Sequence, residues 1–326
     1  MDRRNLLKLS AATLAAGLQP KLMAAAPQTP EREHSATVEQ WGLFEISLPG
    51  PSDGNPFKDV TLAAAFTLEH RSVQVTGFYD GEGEYCIRFM PDTPGRWTYK
   101  TASSAAQLAN QTGAFTVTSP TTPGNHGPMT VAHEFHFQYE DGTPYFPFGT
   151  TTYAYLFTPE PNYRNSLAGM VKTRFNKSRV CLLPKSLGFD IEKQILPFPR
   201  VNKVNDLTRF NPEYFRMVKQ RILALQKAGI EADVILFHPY DSWGYKTMGA
   251  EADDFYLRYA IARLSAYRNV WWSIANEYDL IRTKTMSDWD RYFRITVESD
   301  PYSHLRSIHH SGPIYDNTKP WVTHAS

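Results

Sequence analysis

The sequence predicts an antiparallel β-sandwich over residues 38–118 followed by a parallel (β/α) barrel over residues 131–326. Two observations predict this. Before residue 118, short apolar runs alternate with polar residues at period two and are separated by Gly, Pro and Asp, the pattern of an antiparallel sandwich. After Gly149, strand-like runs alternate with helical ones, which marks successive βα units and a parallel sheet. A length of 326 residues also exceeds the usual size of one domain.

In the first region the alternating runs are Gln40–Ile46, Val73–Phe78 and Glu84–Phe89, and Pro91–Tyr99 reads as a strand-turn-strand corner around a buried Trp97. Residues 119–130 open with Ser-Pro-Thr-Thr-Pro-Gly-Asn and read as a linker. Phe135–Tyr139 and Tyr145–Gly149 flank Asp141-Gly142, a strong hairpin signal.

The second region begins with strand candidates at Phe146–Thr152 and Arg179–Leu183. A helix over Pro212–Ala228 has Asn211 as its N-cap, Pro212 at the first position and Gly229 to close it. Its Phe215, Val218, Ile222 and Leu225 recur at helical spacing. Strand Ala232–Phe237, helix Ala252–Tyr267, strand Val270–Ala275, helix Ser287–Ser299 and strands Leu305–His309 and Trp321–His324 complete the series. Six strands fall short of the eight that a barrel closes with, and the region is shorter than the ~250 residues typical of one. The barrel is therefore expected to be incomplete at Ser326, and the chain alone to be poorly soluble.

Residues 1–26 read as an export signal. Arg3-Arg4 precedes Leu6-Leu7-Lys8, a small apolar run follows from Leu9, and Ala24-Ala25-Ala26 ends the segment. The paired arginines resemble a twin-arginine leader. Residues 27–37 are polar and Pro-containing and read as a linker. The mature protein is expected to work in the periplasm or outside the cell.

Composition narrows the function. A net charge of +1, with no basic run beyond the first residues, argues against nucleic acid as a partner. After the leader no apolar stretch is long enough to span a membrane. Cys86 and Cys181 fall in different regions and read as two separate buried thiols. Aromatics make up 13% of the chain, material for a β-rich core and for stacking on sugars. No phosphate-cradling loop, nucleotide fingerprint, Ser nucleophile elbow or Cys-pair zinc motif is present, and no cofactor is expected.

In parallel barrels the active site lies at the C-terminal ends of the strands. The strand Val270–Ala275 ends in Asn276-Glu277-Tyr278-Asp279. A carboxyl behind so apolar a strand sits in the rim, partly desolvated. Partial burial favours the protonated form of a carboxyl, which a general acid acting on a glycosidic oxygen requires. Tyr153 and Tyr155 follow the first strand, while His238, Tyr240, Asp241 and Trp243 follow the third; these are candidates for substrate binding. Arg179 reads equally as ion-pair partner or ligand. His309 is a candidate hydrogen-bond donor to substrate; His309 and His310 point to opposite faces of a strand, so no metal is expected there.

Asn276-Glu277 behind the fourth strand resembles the acid/base signature of retaining glycoside hydrolases with (β/α) barrels. The succession from Phe146-Pro147-Phe148-Gly149 through His238-Pro239-Tyr240-Asp241 to Asn276-Glu277-Tyr278-Asp279 is similar to the apiosidase-like catalytic domains of bacterial polysaccharide degraders. Val38–Trp41 to Gly95–Trp97 is similar to the small Ig-like domain that often precedes them. The resemblance implies a glycoside hydrolase acting on an extracellular poly- or oligosaccharide. It implies Glu277 as acid/base and Asn276 as a hydrogen-bond partner to the sugar beside the cleaved bond. The family's nucleophile is a carboxylate behind the seventh strand, which falls beyond residue 326. Asp241 is a spare candidate, and Asp279 a poor one, because a retaining pair needs carboxyls ~5–5.5 Å apart. The rival reading is a non-catalytic carbohydrate-binding protein on a truncated or degenerate barrel.

Overall fold

The computed structural model describes residues 32–186 and 195–326, with residues 32–35 in backbone only. The export signal expected over 1–26 and the start of the expected linker lie outside the described residues. Residues 31–326 form one compact unit.

Residues 32–118 build two facing sheets. One runs in the order Arg32–Glu39, Thr112–Thr118, Gly95–Ser103, Leu62–Leu68, Arg71–Thr76; the other in the order Phe44–Pro49, Glu84–Phe89, Phe78–Gly81. Period-two patterning does what it should: Phe44, Ile46 and Leu48 point inward while their neighbours face water. They share a core with Phe66, Phe89 and Phe115. Phe44 stacks on Phe115 at 3.7 Å and Phe66 on Phe89 at 4.1 Å between ring centres. Trp97 is fully buried and donates its indole N–H to the Thr93 carbonyl at 2.9 Å.

Two expectations change here. Residues 32–37, expected as linker, belong to the strand Arg32–Glu39, which pairs in parallel with Thr112–Thr118. Polar composition hid it, because an edge strand needs backbone pairing rather than apolar side chains. The second linker is pinned rather than free. The Glu39 carboxylate accepts from the Thr121 hydroxyl, from the backbone N–H of Thr121 at 3.0 Å and of Thr122 at 3.0 Å, and from the Asn125 amide at 3.1 Å. These donors, the Thr121 hydroxyl foremost, hold the carboxyl down at about 2.

The strand Glu84–Phe89 is covered on both faces. Tyr85, Ile87 and Phe89 enter the sandwich core, whereas Cys86 packs with the core of the C-terminal region. Arg88 is buried beside it, paired with Glu45 at 2.5 Å and donating to the Arg263 carbonyl at 2.7 Å. Cys86 and Cys181 are both free and buried, as expected.

A three-stranded sheet of Met129–Ala132, His136–Tyr139 and Pro144–Tyr145 follows. Its hairpin turns at the expected Asp141-Gly142, where Gly142 takes φ 86° and donates to the Tyr139 carbonyl. Next come β1 (Gly149–Thr151), α1 (Glu160–Lys172), β2 (Lys177–Cys181), α2 (Pro212–Lys227), β3 (Glu231–Phe237), α3 (Ala250–Leu264), β4 (Val270–Ala275), α4 (Met286–Ser299) and β5 (Arg306–Ser307). The strands form one sheet in chain order, parallel throughout. Helices on the crossovers bury β3 and β4 along their whole length. In α2, Asn211 accepts from the Glu213 N–H at 3.2 Å, while Phe215, Val218, Ile222 and Leu225 are buried. Thr285 and Asp288 close a capping box at the start of α4.

Trp321–His324, expected as a sixth strand, is not one. Its Thr323 N–H reaches the Arg306 carbonyl at 2.9 Å and its hydroxyl caps the Arg306 N–H at 2.6 Å. Two bonds at one residue do not make a ladder, which needs successive pairs.

Candidate active site

The tips of neighbouring strands are laced together by main-chain bonds. The Cys181 N–H donates to the Tyr153 carbonyl at 3.0 Å, the Asn276 N–H to the Phe237 carbonyl at 2.9 Å, and the His309 N–H to the Ala275 carbonyl at 2.9 Å. The chain after each strand is thereby fixed at the same end of the sheet. Tyr153, Tyr240, Asn276, Glu277 and His309 are all carried to this end.

Glu277 is half-buried and has left-handed backbone angles, φ 49° and ψ 55°. For a residue with a Cβ this conformation costs about 1–2 kcal/mol, and residues held so are concentrated at functional sites. The Leu280 N–H donates back to the Glu277 carbonyl at 3.0 Å, and the Tyr278 N–H donates to the His309 carbonyl at 3.1 Å. These bonds turn the chain sharply out of β4 and leave the Glu277 side chain at the rim.

Four side chains then form a hydrogen-bonded series. The Tyr153 hydroxyl donates to Asn276 Oδ1 at 3.3 Å. Asn276 Nδ2 donates to the Tyr240 hydroxyl at 2.9 Å, and that hydroxyl donates to Glu277 Oε2. The ammonium of Lys185, just beyond β2, lies 4.4 Å from the centre of the Tyr153 ring and 4.1 Å from that of Tyr240. Burial raises the Tyr240 hydroxyl above its ordinary range, and its bond to Glu277 raises it further.

Several residues expected to meet substrate are occupied elsewhere. His238 is buried; its Nε2 donates to the Leu183 carbonyl at 2.8 Å and its Nδ1 accepts the Tyr240 N–H at 3.2 Å. Desolvation holds this ring down at about 4, so it is neutral and orders the turn that carries Tyr240. The Asp241 carboxylate accepts four backbone N–H groups, of Trp243, Gly244, Tyr245 and Lys246, at 2.6–3.0 Å. It is the cap of the following turn, and that excludes it as a spare nucleophile. Asp279 is likewise bound by the N–H and hydroxyl of Ser311, both at 2.8 Å. Trp243 is buried and stacked on Tyr245. Tyr155 is buried behind the site, donating to the Arg221 carbonyl at 3.3 Å. Asn276 has no exposed surface, so its amide serves the series before any ligand.

Arg179 resolves as an ion-pair partner, 3.6 Å from Asp233 within the sheet interior, where Lys177 also meets Asp233 at 2.9 Å. His309 is half-buried and its Nδ1 has no hydrogen-bond partner among the described residues. Among the described residues no group of His, Cys, Asp and Glu is placed to hold a metal ion. Sequence reasoning missed Lys185: a lone lysine beyond a strand carries no periodic signal, and only the convergence of the Tyr153 and Tyr240 rings on its ammonium marks it.

Two cavities flank these residues. One of about 480 Å³ is lined by Tyr153 with Thr152, Thr158, Asn162, Asn165 and Ser166. The other, about 690 Å³, lies beside Trp243, Arg200 and Phe198.

A family model described as the apiosidase-like catalytic domain matches residues 132–326. The chain belongs to the apiosidase-like family. A domain of unknown function, DUF5060, matches residues 37–104, which lie within the two facing sheets. The apiosidase-like chain is 41% identical to a crystal structure from Bacteroides vulgatus described as a candidate glycoside hydrolase. The match has a TM-score of 0.84 and covers 88% of this chain and 58% of that one, so the chain spans little more than half the length of this relative. A glycoside hydrolase family 5 structure, also from Bacteroides vulgatus, is 18% identical over 62% of this chain and 44% of that chain, with a TM-score of 0.48. No curated protein matches. Family and fold are therefore those of glycoside-hydrolase-like proteins: a β-rich N-terminal part and an apiosidase-like domain whose strand tips gather Tyr153, Tyr240, Asn276 and Glu277. No helix among the described residues is long and apolar enough to cross a membrane.

Proposed function

We propose that the protein is an exported O-glycosidase that cleaves an extracellular poly- or oligosaccharide, with Glu277 as its acid/base residue. The observation that carries this reading is the Glu277 side chain itself: half-buried, held in a left-handed turn at the strand tips, and gripped, among the described residues, by one oxygen only. In this reading the carboxyl protonates the departing glycosidic oxygen and then, as a carboxylate, takes a proton from the water that releases the sugar. Tyr153 and the uncharged amides and hydroxyls around its cavity suit the hydroxyl groups of a neutral sugar unit, and the unpartnered Nδ1 of His309 suits another hydroxyl.

The mechanism is retaining, on a (β/α)8 plan; Asp241 and Asp279 are both bound by backbone donors and do not serve as its nucleophile. The two facing sheets act as an Ig-like domain that supports the barrel. The Arg3-Arg4 leader takes the protein out of the cytoplasm.

Replacement of Glu277 by Gln keeps the shape and removes the proton. It is expected to lower release of reducing ends from oligosaccharides by about 10²–10⁴-fold, measured on a folded variant. Turnover at the parent rate overturns the assignment. Tight sugar binding by both proteins with no turnover in either favours a carbohydrate-binding protein instead.

A further inference from the structure

We infer that Tyr240 is a positioning residue: it clasps Glu277 by Oε2 and so selects Oε1 as the oxygen that exchanges a proton with substrate. The inference rests on the reading of Glu277 as acid/base and adds which atom acts and what aims it.

A tyrosine hydroxyl has one hydrogen and two lone pairs. Here the hydrogen goes to Glu277 Oε2, and a lone pair receives Asn276 Nδ2 at 2.9 Å. Because the amide supplies its hydrogen from one side, the hydroxyl hydrogen is directed to the carboxyl on the other. The amide cannot flip without exchanging its oxygen for its nitrogen at both ends, since Oδ1 accepts from the Tyr153 hydroxyl at 3.3 Å. Asn276 is fully buried and its N–H is bonded to the Phe237 carbonyl, so the anchor of the series is the strand β4 itself.

The Tyr240 ring is fixed as well as its hydroxyl. Lys185 lies over it at 4.1 Å, and the ring of His238 is stacked 5.7 Å away with an interplanar angle of 18°. The backbone N–H of Tyr240 is bonded to His238 Nδ1. With these neighbours, the ring is not a free platform for a sugar, although spacing along the sequence suggests one. A carboxyl with one oxygen bound keeps a single orientation, and proton transfer depends steeply on such alignment.

Tyr240→Phe removes the hydroxyl and keeps the ring, and leaving-group dependence separates the roles. Glycosides with sugar or alkyl leaving groups need the proton; nitrophenyl glycosides hardly do. The variant is expected to lose about 10–100-fold in kcat on the first class, with KM changed less than about threefold, and to lose less than about threefold in kcat on the second. A rise in KM with kcat unchanged assigns Tyr240 to sugar binding and overturns the proposal. An equal loss on both classes makes the role structural and overturns it too. If Tyr240→Phe does not fold, 3-fluorotyrosine at position 240 preserves the shape and strengthens the donor, and an unchanged leaving-group slope then overturns the proposal. Crystal structures of the parent and the variant decide the matter apart from turnover: Glu277 is expected to lose its single orientation in the variant. If it keeps it, positioning by Tyr240 fails; if the parent has no turnover but Glu277 is released as expected, the acid/base reading fails and the positioning stands.

Discussion

The guanidinium of Arg263, fully buried on α3, meets the carboxylate of Asp80 at 2.5 Å, and Asp80 belongs to the other half of the chain. Arg216 of α2 joins the same carboxylate at 3.2 Å, and Tyr259 donates to the Tyr79 carbonyl beside it at 2.9 Å. The two halves are joined by charge that neither could bury alone. Asp80→Asn leaves the Arg263 cation without its counter-charge, so a loss of about 3–5 kcal/mol is expected. Thermal unfolding should remain a single transition for parent and variant alike, because the halves share this interface. A split melt, with the sandwich unfolding apart from the rest, contradicts it.

Glu231 opens β3 and is fully buried, its carboxyl accepting from the Trp271 indole at 3.0 Å and the Tyr139 hydroxyl at 3.2 Å. Burial outweighs these donors and pushes the carboxyl up to about 7. A carboxyl raised on folding binds its proton more tightly in the native state. Its contribution to stability is complete below its ordinary value of 4.5 and fades as pH rises through about 7. The upper bound is roughly 3 kcal/mol. Glu231→Gln should flatten the stability profile between pH 5 and 8, as followed by urea denaturation; an unaltered slope counts against it.

His238 gives the opposite sign. Its ring is held down at about 4 by burial, so the unfolded chain takes up a proton near its ordinary value of 6.5 while the native ring does not. Stability present above 6.5 is therefore lost as pH falls toward about 4. Nitrogen NMR should show one neutral tautomer, protonated at Nε2, throughout pH 5.5–8. A ring that titrates near 6.5 would remove the support claimed for Tyr240.

Gly149 allows the close approach of β1 to β2. A Cβ there would lie 2.3 Å from the Lys177 carbonyl oxygen and 2.9 Å from its carbon, both backbone atoms that cannot swing aside. Gly149→Ala should destabilise by about 1–3 kcal/mol, read as a lowered denaturation midpoint, and should loosen Tyr153 only four residues on. A stability equal to that of the parent would mean the strands part readily.

Much of this was legible before any coordinate. Val270–Ala275 is the strand the sequence indicates, because five apolar residues among six, broken only by Ser273, fit an element buried on both faces. Asn211-Pro212 starts α2 as its chemistry requires, and the apiosidase-like family was recognisable from the motifs at the strand ends. The short Arg306–Ser307 and the unladdered Trp321–His324 were not legible, since a few apolar residues do not say whether a partner edge lies beside them.

The sequence by itself determined the order of elements, the two cores and the place of Glu277 behind β4, because periodicity, caps and apolar runs act over neighbouring residues. Only the tertiary structure decided which strand-end side chains are free. Asp241 and His238 look like ligands in sequence, yet the folded backbone occupies them, while Tyr240, Asn276 and Lys185 gain their roles from partners 36 to 123 residues away in the chain or from rings brought in from other strands. Hydrogen bonds and ring contacts have a reach of a few ångströms, so what they join is set by the fold and not by distance along the chain.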